Sequence, residues 1–149
     1  DMAAEHLLSN NVHARIVYAG STAAATTTID SAVIDMAGYQ GLMLHGSIGA
    51  TATDNGIDVL CSTSSSTAQA EDLLNSRLQA TSTALLVDVY PWPVGKRYAF
   101  GRIIRTTSAT IGALHAIKYK ARRAPVDNAT STQAVRQLAN PSTGQSTST

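Results

Sequence analysis

Short runs that alternate apolar and polar residues, separated by turn-forming clusters, constrain this chain more than any other feature. In "GLMLHGSIG", Leu42, Leu44 and Ile48 share one parity while Met43, His45 and Ser47 take the other. "GIDVLCS" repeats the pattern with Ile57, Val59 and Cys61. "ALLVDVY" puts Leu85, Val87 and Val89 on one face and Asp88 on the other, and "ALHAIKYKA" alternates His115, Ile117 and Tyr119 with Ala116, Lys118 and Lys120. Period two is the signature of a half-buried strand. "RIVYA" and "TIDSAVIDM" add two more β-rich runs, and "RYAFGRIIRTT" is a longer one in which Gly101 is a candidate bulge. Turn signals fall between them: "AGYQG" at 37–41, "TDNGI" at 53–57 and "PWPVGK" at 91–96. Many short strands with regular turns predict an all-β chain folded as an antiparallel sandwich.

One segment departs from this period. In "SSTAQAEDLLNSRLQA", Leu73, Leu74 and Leu78 have helical spacing, Ser66 and Gln69 fit a capping box, and acidic residues precede Arg77. The pattern predicts one short helix there. Residues 1–14 read as an N-terminal arm whose Leu7 and Leu8 need a partner surface, because so short a helical turn is not stable alone. Residues 15–126 form the sandwich body. Residues 127–149, ending in a Ser/Thr/Gly tract, read as a flexible tail in which Val135 and Leu138 are the apolar anchors. At 149 residues the body is one domain with one core.

Charge is distributed unevenly. The net charge is only +1, yet "YPWPVGKRYAFGRIIRTTSATIGALHAIKYKARRAPV" holds eight of the 11 Lys and Arg residues and no carboxylate. Three readings of this stretch stand side by side. Its cations are gatekeepers on solvated strand faces, or they bind nucleic acid, or they face an acidic protein surface. Nucleic acid fits poorly, because the net charge is small and aromatics make up only 5% of the chain. About a fifth of the residues are Ser or Thr and only 14% are charged, a surface suited to contact with other proteins.

Chemistry is thinly represented. His6, His13, His45 and His115 form no metal-binding spacing, and no cofactor is expected. "DNGID" begins like a calcium loop and then lacks its remaining ligands. Cys61 stands alone, so it forms no intrachain disulfide and reads as a small buried residue. No nucleophile elbow, phosphate loop or paired carboxylates appear; Asp30 and Asp35 fall on opposite strand parities. Asn128 opens an Asn-Ala-Thr glycosylation sequon. No signal-peptide pattern opens the chain and no apolar run is long enough for a membrane span, so neither an enzyme nor a membrane protein is expected.

"TIDSAVIDMAGYQGLMLHGSIG", "SRLQATSTALLVDVYPWPVGKRYAFGRIIR" and "HAIKYKARRAPV" together resemble the successive blocks of small structural proteins of tailed bacteriophages, over residues 28–126. The shared phrases are an alternating strand ending in a Gly-Tyr-x-Gly turn, an Asp-containing strand before a proline turn and an Arg-Tyr pair, and a closing strand that runs into a basic phrase. The "PWPVG" loop is longer than the turn in that pattern. The resemblance implies a capsid cement or decoration protein: a jelly-roll-like sandwich that docks as a homodimer or homotrimer on the exterior of the virion and clamps neighbouring major capsid subunits. The site residues implied are Leu7 and Leu8 from the arm, Val135 and Leu138 from the tail, Arg97, Arg102, Arg105, Lys118, Arg122 and Arg123 as charge contacts, and Trp92 as either an exposed loop anchor or a core residue. A head–tail or tail structural protein and a carbohydrate-binding sandwich are the alternatives.

Overall fold

The structure, a computed structural model, describes residues 6–123, 126–128 and 133–137. It is built from strands and two 3₁₀ turns, Leu8–Asn10 and Thr67–Gln69. Two antiparallel sheets carry the core. The first has the order β1 (His13–Tyr18), β12 (Leu114–Tyr119), β5 (Gly41–Ser47), β9 (Ala84–Val89). The second centres on β10 (Tyr98–Ile104) paired with β6 (Ala52–Ser62). It is extended on one side by β3 (Ile29–Asp30) and β4 (Ile34–Asp35), and on the other by β7 (Glu71–Asp72) and β8 (Leu78–Ala80). A small third sheet joins β2 (Ser21–Ala25) to β11 (Ala109–Ile111). The all-β antiparallel sandwich expected from the alternation is what the chain forms.

The core lies between the inner faces of the two large sheets. Leu42 and Leu44 from β5, Leu85 from β9 and Leu114 and Ala116 from β12 meet Ile57, Val59 and Cys61 from β6 and Ala99 and Ile103 from β10. Burying a Leu, Ile or Val side chain contributes about 1.5–3 kcal/mol, so these facing rows are the main force holding the sheets together. Burial also pushes the Cys61 thiol pKa up, as befits an inert core residue.

Four local expectations are corrected. The segment 66–80 is not a helix: after the Thr67–Gln69 turn, β7 and β8 pair with β6, and Leu73 donates its N–H to Val59 O. The Ser66 hydroxyl does cap the short turn, accepting from Ala68 N. Residues 53–57 are not a turn but part of β6. There the fully buried Asn55 accepts from Thr106 N and Thr107 N and donates to Ala50 O and Thr107 O, filling its capacity. Gly101 is not a bulge, since β10 and β6 keep one register from Tyr98↔Ser62 to Ile104↔Gly56. A Cβ at Gly101 would sit 2.9 Å from Leu114 Cδ2, so the residue is small because the facing sheet comes close. Finally, "TIDSAVIDM" is two short pairings with a break at 31–33. Buried Ser31 fills the break, exchanging hydrogen bonds with the backbone of Gly101.

The described part of the C-terminal segment is anchored, against the expectation of a loose tail. Asn128 accepts from Ala14 N and donates to Ser9 O and Val12 O, each at 2.8 Å. Gln133 donates to Ala14 O and Asn128 O, Gln137 reaches Ser9 and Asn10, and Val126 N donates to Asn10 O. Asn128 of the sequon is therefore buried and its amide is fully engaged.

Candidate docking surface

Three cations of the basic quarter, Lys96, Arg97 and Arg102, find their counter-charge inside the molecule. Antiparallel pairing sets β10 beside β3 and β4, which brings Arg102 opposite Asp30 and the Arg97 end of β10 beside Asp35. Arg102 grips Asp30 with two bonds of 2.7 and 3.0 Å, and Arg97 grips Asp35 with two of 3.0 and 2.8 Å. The hydrogen bonds from Arg97 hold the Asp35 pKa down at about 2, and both guanidinium pKa values are raised in return. Lys96 lies 3.3 Å from Glu71. The odd spacing of Asp30 and Asp35 put them on opposite strand parities in the sequence, but the break at 31–33 lets both carboxylates reach β10.

Arg105 is not a surface contact. It is 2% exposed, and its guanidinium donates to Thr27 O, Thr27 Oγ1 and Ala109 O, tying the β2–β3 connection to β11. Lys118 is half-buried with Leu114 and Ala116 on the core side of β12. Its Nζ donates to Asp35 O at 2.8 Å and lies 4.5 Å from the centre of the Tyr39 ring. Burial lowers its pKa. His13, directly across from Lys118 on β1, is held down at about 4 by burial and by the nearby charges of Lys118 and Arg15.

Trp92 is also inside, at 8% exposure, and joins the core. Its backbone N–H donates to Gln40 O, tying the β9–β10 loop to the β4–β5 turn, and its indole Nε1 donates to Lys96 O, bracing the loop on itself. The Tyr90–Pro91 peptide in that loop is cis, and Gly95 takes a positive φ of 85°. Of the arm and tail candidates, Leu7 is half-buried, Leu8 and Val135 are exposed, and Leu138 lies outside the described residues.

Arg122 and Arg123 remain as exposed cations, and among the described residues no carboxylate pairs with either. The Arg122 N–H donates to Gly38 O, which fixes the chain after β12 against the β4–β5 turn. The turn at 36–40, the loop at 91–97 and Arg122 thereby enclose a cleft of about 570 Å³ at one end of the sandwich. Its walls are Met36, Tyr39, Pro91, Trp92, Pro93 and Val94, with Lys96, Arg97 and Arg122 at the rim; among the described residues no Asp or Glu lines it. Val94 stands fully exposed at the loop tip, a feature that the "PWPVG" phrase placed in a turn but did not aim. An apolar floor with a cationic rim accepts an acidic side chain whose neighbours are apolar. The Gly38–Gln40 half of this cleft went unrecognised as a site in the sequence, because only the fold brings the two turns together.

No family model matches this chain, and no curated protein sequence matches it either. Among solved structures the chain is similar to the SPBc2 prophage-derived protein YomS, with a TM-score of 0.44 and 11% sequence identity, covering 72% of this chain and 92% of that one. Among the described residues no helix is long and apolar enough to cross a membrane.

Proposed function

We propose that the protein is a non-enzymatic virion structural component that docks through the cleft end of its sandwich onto acidic patches of neighbouring capsid subunits. The observation that carries this reading is the cleft itself, which has an apolar lining and a cationic rim in which Lys96 and Arg97 are paired with Glu71 and Asp35 while Arg122 has no carboxylate partner among the described residues. The phrases shared with small phage structural proteins give the partner its class. Docking here is adhesion: several modest contacts per copy, repeated over a symmetric shell, make detachment slow without any single tight site. Of the charge contacts named from the sequence, Arg122 and Arg123 carry the proposal, since Arg97, Arg102, Arg105 and Lys118 are engaged internally. Trp92, the ring best suited to stack on a sugar, is buried in the core and not offered to a carbohydrate.

The test is co-sedimentation with mature shells of the source phage at low and high salt. Saturable binding at a fixed ratio to the major capsid protein is expected, weakened by salt. The double variant R122E/R123E is expected to lose at least tenfold in affinity, roughly 1.4 kcal/mol, with its thermal midpoint unchanged because both side chains are exposed. No binding to shells in either salt would overturn the reading.

A further inference from the structure

The two edges of the β1-β12-β5-β9 sheet differ in what covers them. At β1, the two backbone groups of Ala14 that point away from β12 are taken by Asn128 Oδ1 and Gln133 Nε2, and Val17 O accepts from Ala32 N. At β9, the pairing with β5 runs unbroken for six residues, from Leu42↔Val89 to Ser47↔Ala84. On its other side no strand follows among the described residues. Alternate residues of β9 therefore aim their N–H and C=O groups outward. The usual protections of an exposed edge, lysine, proline or a bulge, are absent from "ALLVDV". The exposed apolar side chains on this side are large: Leu86 at 51%, Tyr90 at 56% and Leu74 at 86%, beside a groove of about 440 Å³.

We propose that β9 is a self-association surface, where two copies of this chain pair antiparallel through β9 to form one continuous eight-stranded sheet. Three observations select a second copy as the occupant. The covered β1 edge cannot accept β9 from a neighbour, so head-to-tail growth of this sheet is blocked and only the two-fold β9–β9 joint remains, which closes on itself. The outermost strands of the other large sheet are only two or three residues long, too short to compete. The strand also complements itself in charge. With Leu86 on the two-fold axis, Asp88 faces the partner's Ala84, and the two Asp88 carboxylates stand about 13 Å apart along the strands, beyond effective repulsion at physiological salt. This joint is independent of what the cleft at the sandwich end binds.

Sedimentation of the full chain across a concentration series tests the joint. A species of twice the 15.5 kDa chain mass is expected, dissociating on dilution. Leu86→Lys, on the exposed outer face, is expected to raise the dissociation constant at least tenfold while leaving the β-sheet circular dichroism intact. Leu86→Cys is expected to cross-link under oxidised glutathione, since residues opposite in an antiparallel pair lie about 4.5–5.5 Å apart at Cα, within disulfide reach. Asp88→Cys, far from its mate, is expected not to cross-link. A chain monomeric at all concentrations, or a dimer in which L86C fails to cross-link and L86K changes nothing, would overturn the proposal. Protection of β9 amides from hydrogen exchange only when shells are present would also overturn it, and would give the edge to a strand of another protein.

Discussion

The two edges of one sheet, β1 and β9, present the same backbone chemistry and meet it in opposite ways. β1 is closed by side-chain amides that arrive from more than a hundred residues away: Asn128 and Gln133 supply the acceptor and donor that a neighbouring strand would supply. β9 has its neighbour β5 on one side and apolar side chains on the other. A sheet edge is thus finished either by polar mimicry of a strand or by leaving a strand-shaped vacancy, and this molecule does one at each end. Neither choice follows from the strand's own sequence, since "HARIVY" is no less β-prone than "ALLVDV".

The comparison can be broken most severely at Asn128. Asn128→Ala removes three hydrogen bonds and strands Ala14 N, Ser9 O and Val12 O in a partly buried place. A loss of roughly 3 kcal/mol is expected, read from the urea midpoint, and the newly open β1 edge is expected to add species larger than a dimer in sedimentation. Gln133→Ala uncovers two carbonyl oxygens, Ala14 O and Asn128 O, and is expected to lower stability by about 1–2 kcal/mol in the same assay. On the β9 side, Tyr119 lies over Gly41, stacks on Tyr90 and donates to Asp88 Oδ1 at 2.6 Å, and burial pushes its hydroxyl pKa up to about 12. Tyr119→Phe keeps the ring and loses the bond, so a fall of roughly 0.5–1 kcal/mol is expected.

The smallest and sharpest probe is pH. His13, on β1 beneath its covered edge, is held at about 4, mainly by burial and then by Lys118 and Arg15, with Asp127 acting in the opposite sense. In the unfolded chain it takes up a proton near 6.5. Between those values the unfolded state binds more protons than the folded one, so stability falls as pH falls from 6.5 to 4. Asp35 contributes in the same direction only lower, between 3.8 and about 2. Urea midpoints at pH 7 and pH 4.5 are expected to differ less in His13→Gln than in the parent chain.

Much of the sandwich was readable from alternation: Leu42 and Leu44, Ile57 and Val59, and Leu85 all point where period two placed them. Reading failed where both parities are apolar. In β12 the sequence favoured Ile117 and Tyr119 for the core, but Leu114 and Ala116 occupy it, and the long stem of Lys118 follows them inward while its amine reaches Asp35 O. In β10 apolar residues again fall on both parities, and Ala99 and Ile103 face the core while Tyr98 is only half-buried. The segment 66–80 has helical spacing, but the open side of β6 offers its backbone a ladder, and tertiary pairing overrides local preference. At the candidate site, the positive stretch was legible as a run of residues. Its partners Asp30, Asp35 and Glu71, and the inward turn of Trp92, depend on contacts between elements that the sequence does not place side by side.

The strand order β1-β12-β5-β9 has a consequence for biogenesis. Of the described strands, the one synthesised first pairs with the one synthesised last, His13 with Lys118, and its outer edge is sealed by residues that follow still later. At translation rates of about 5–20 residues per second, "HARIVY" waits roughly 5–20 s for its partner to leave the ribosome. Throughout that interval it is a bare strand with both edges unfilled. The nascent chain thus remains open to wrong pairing until its closing strand has been made, and only then is the sheet finished.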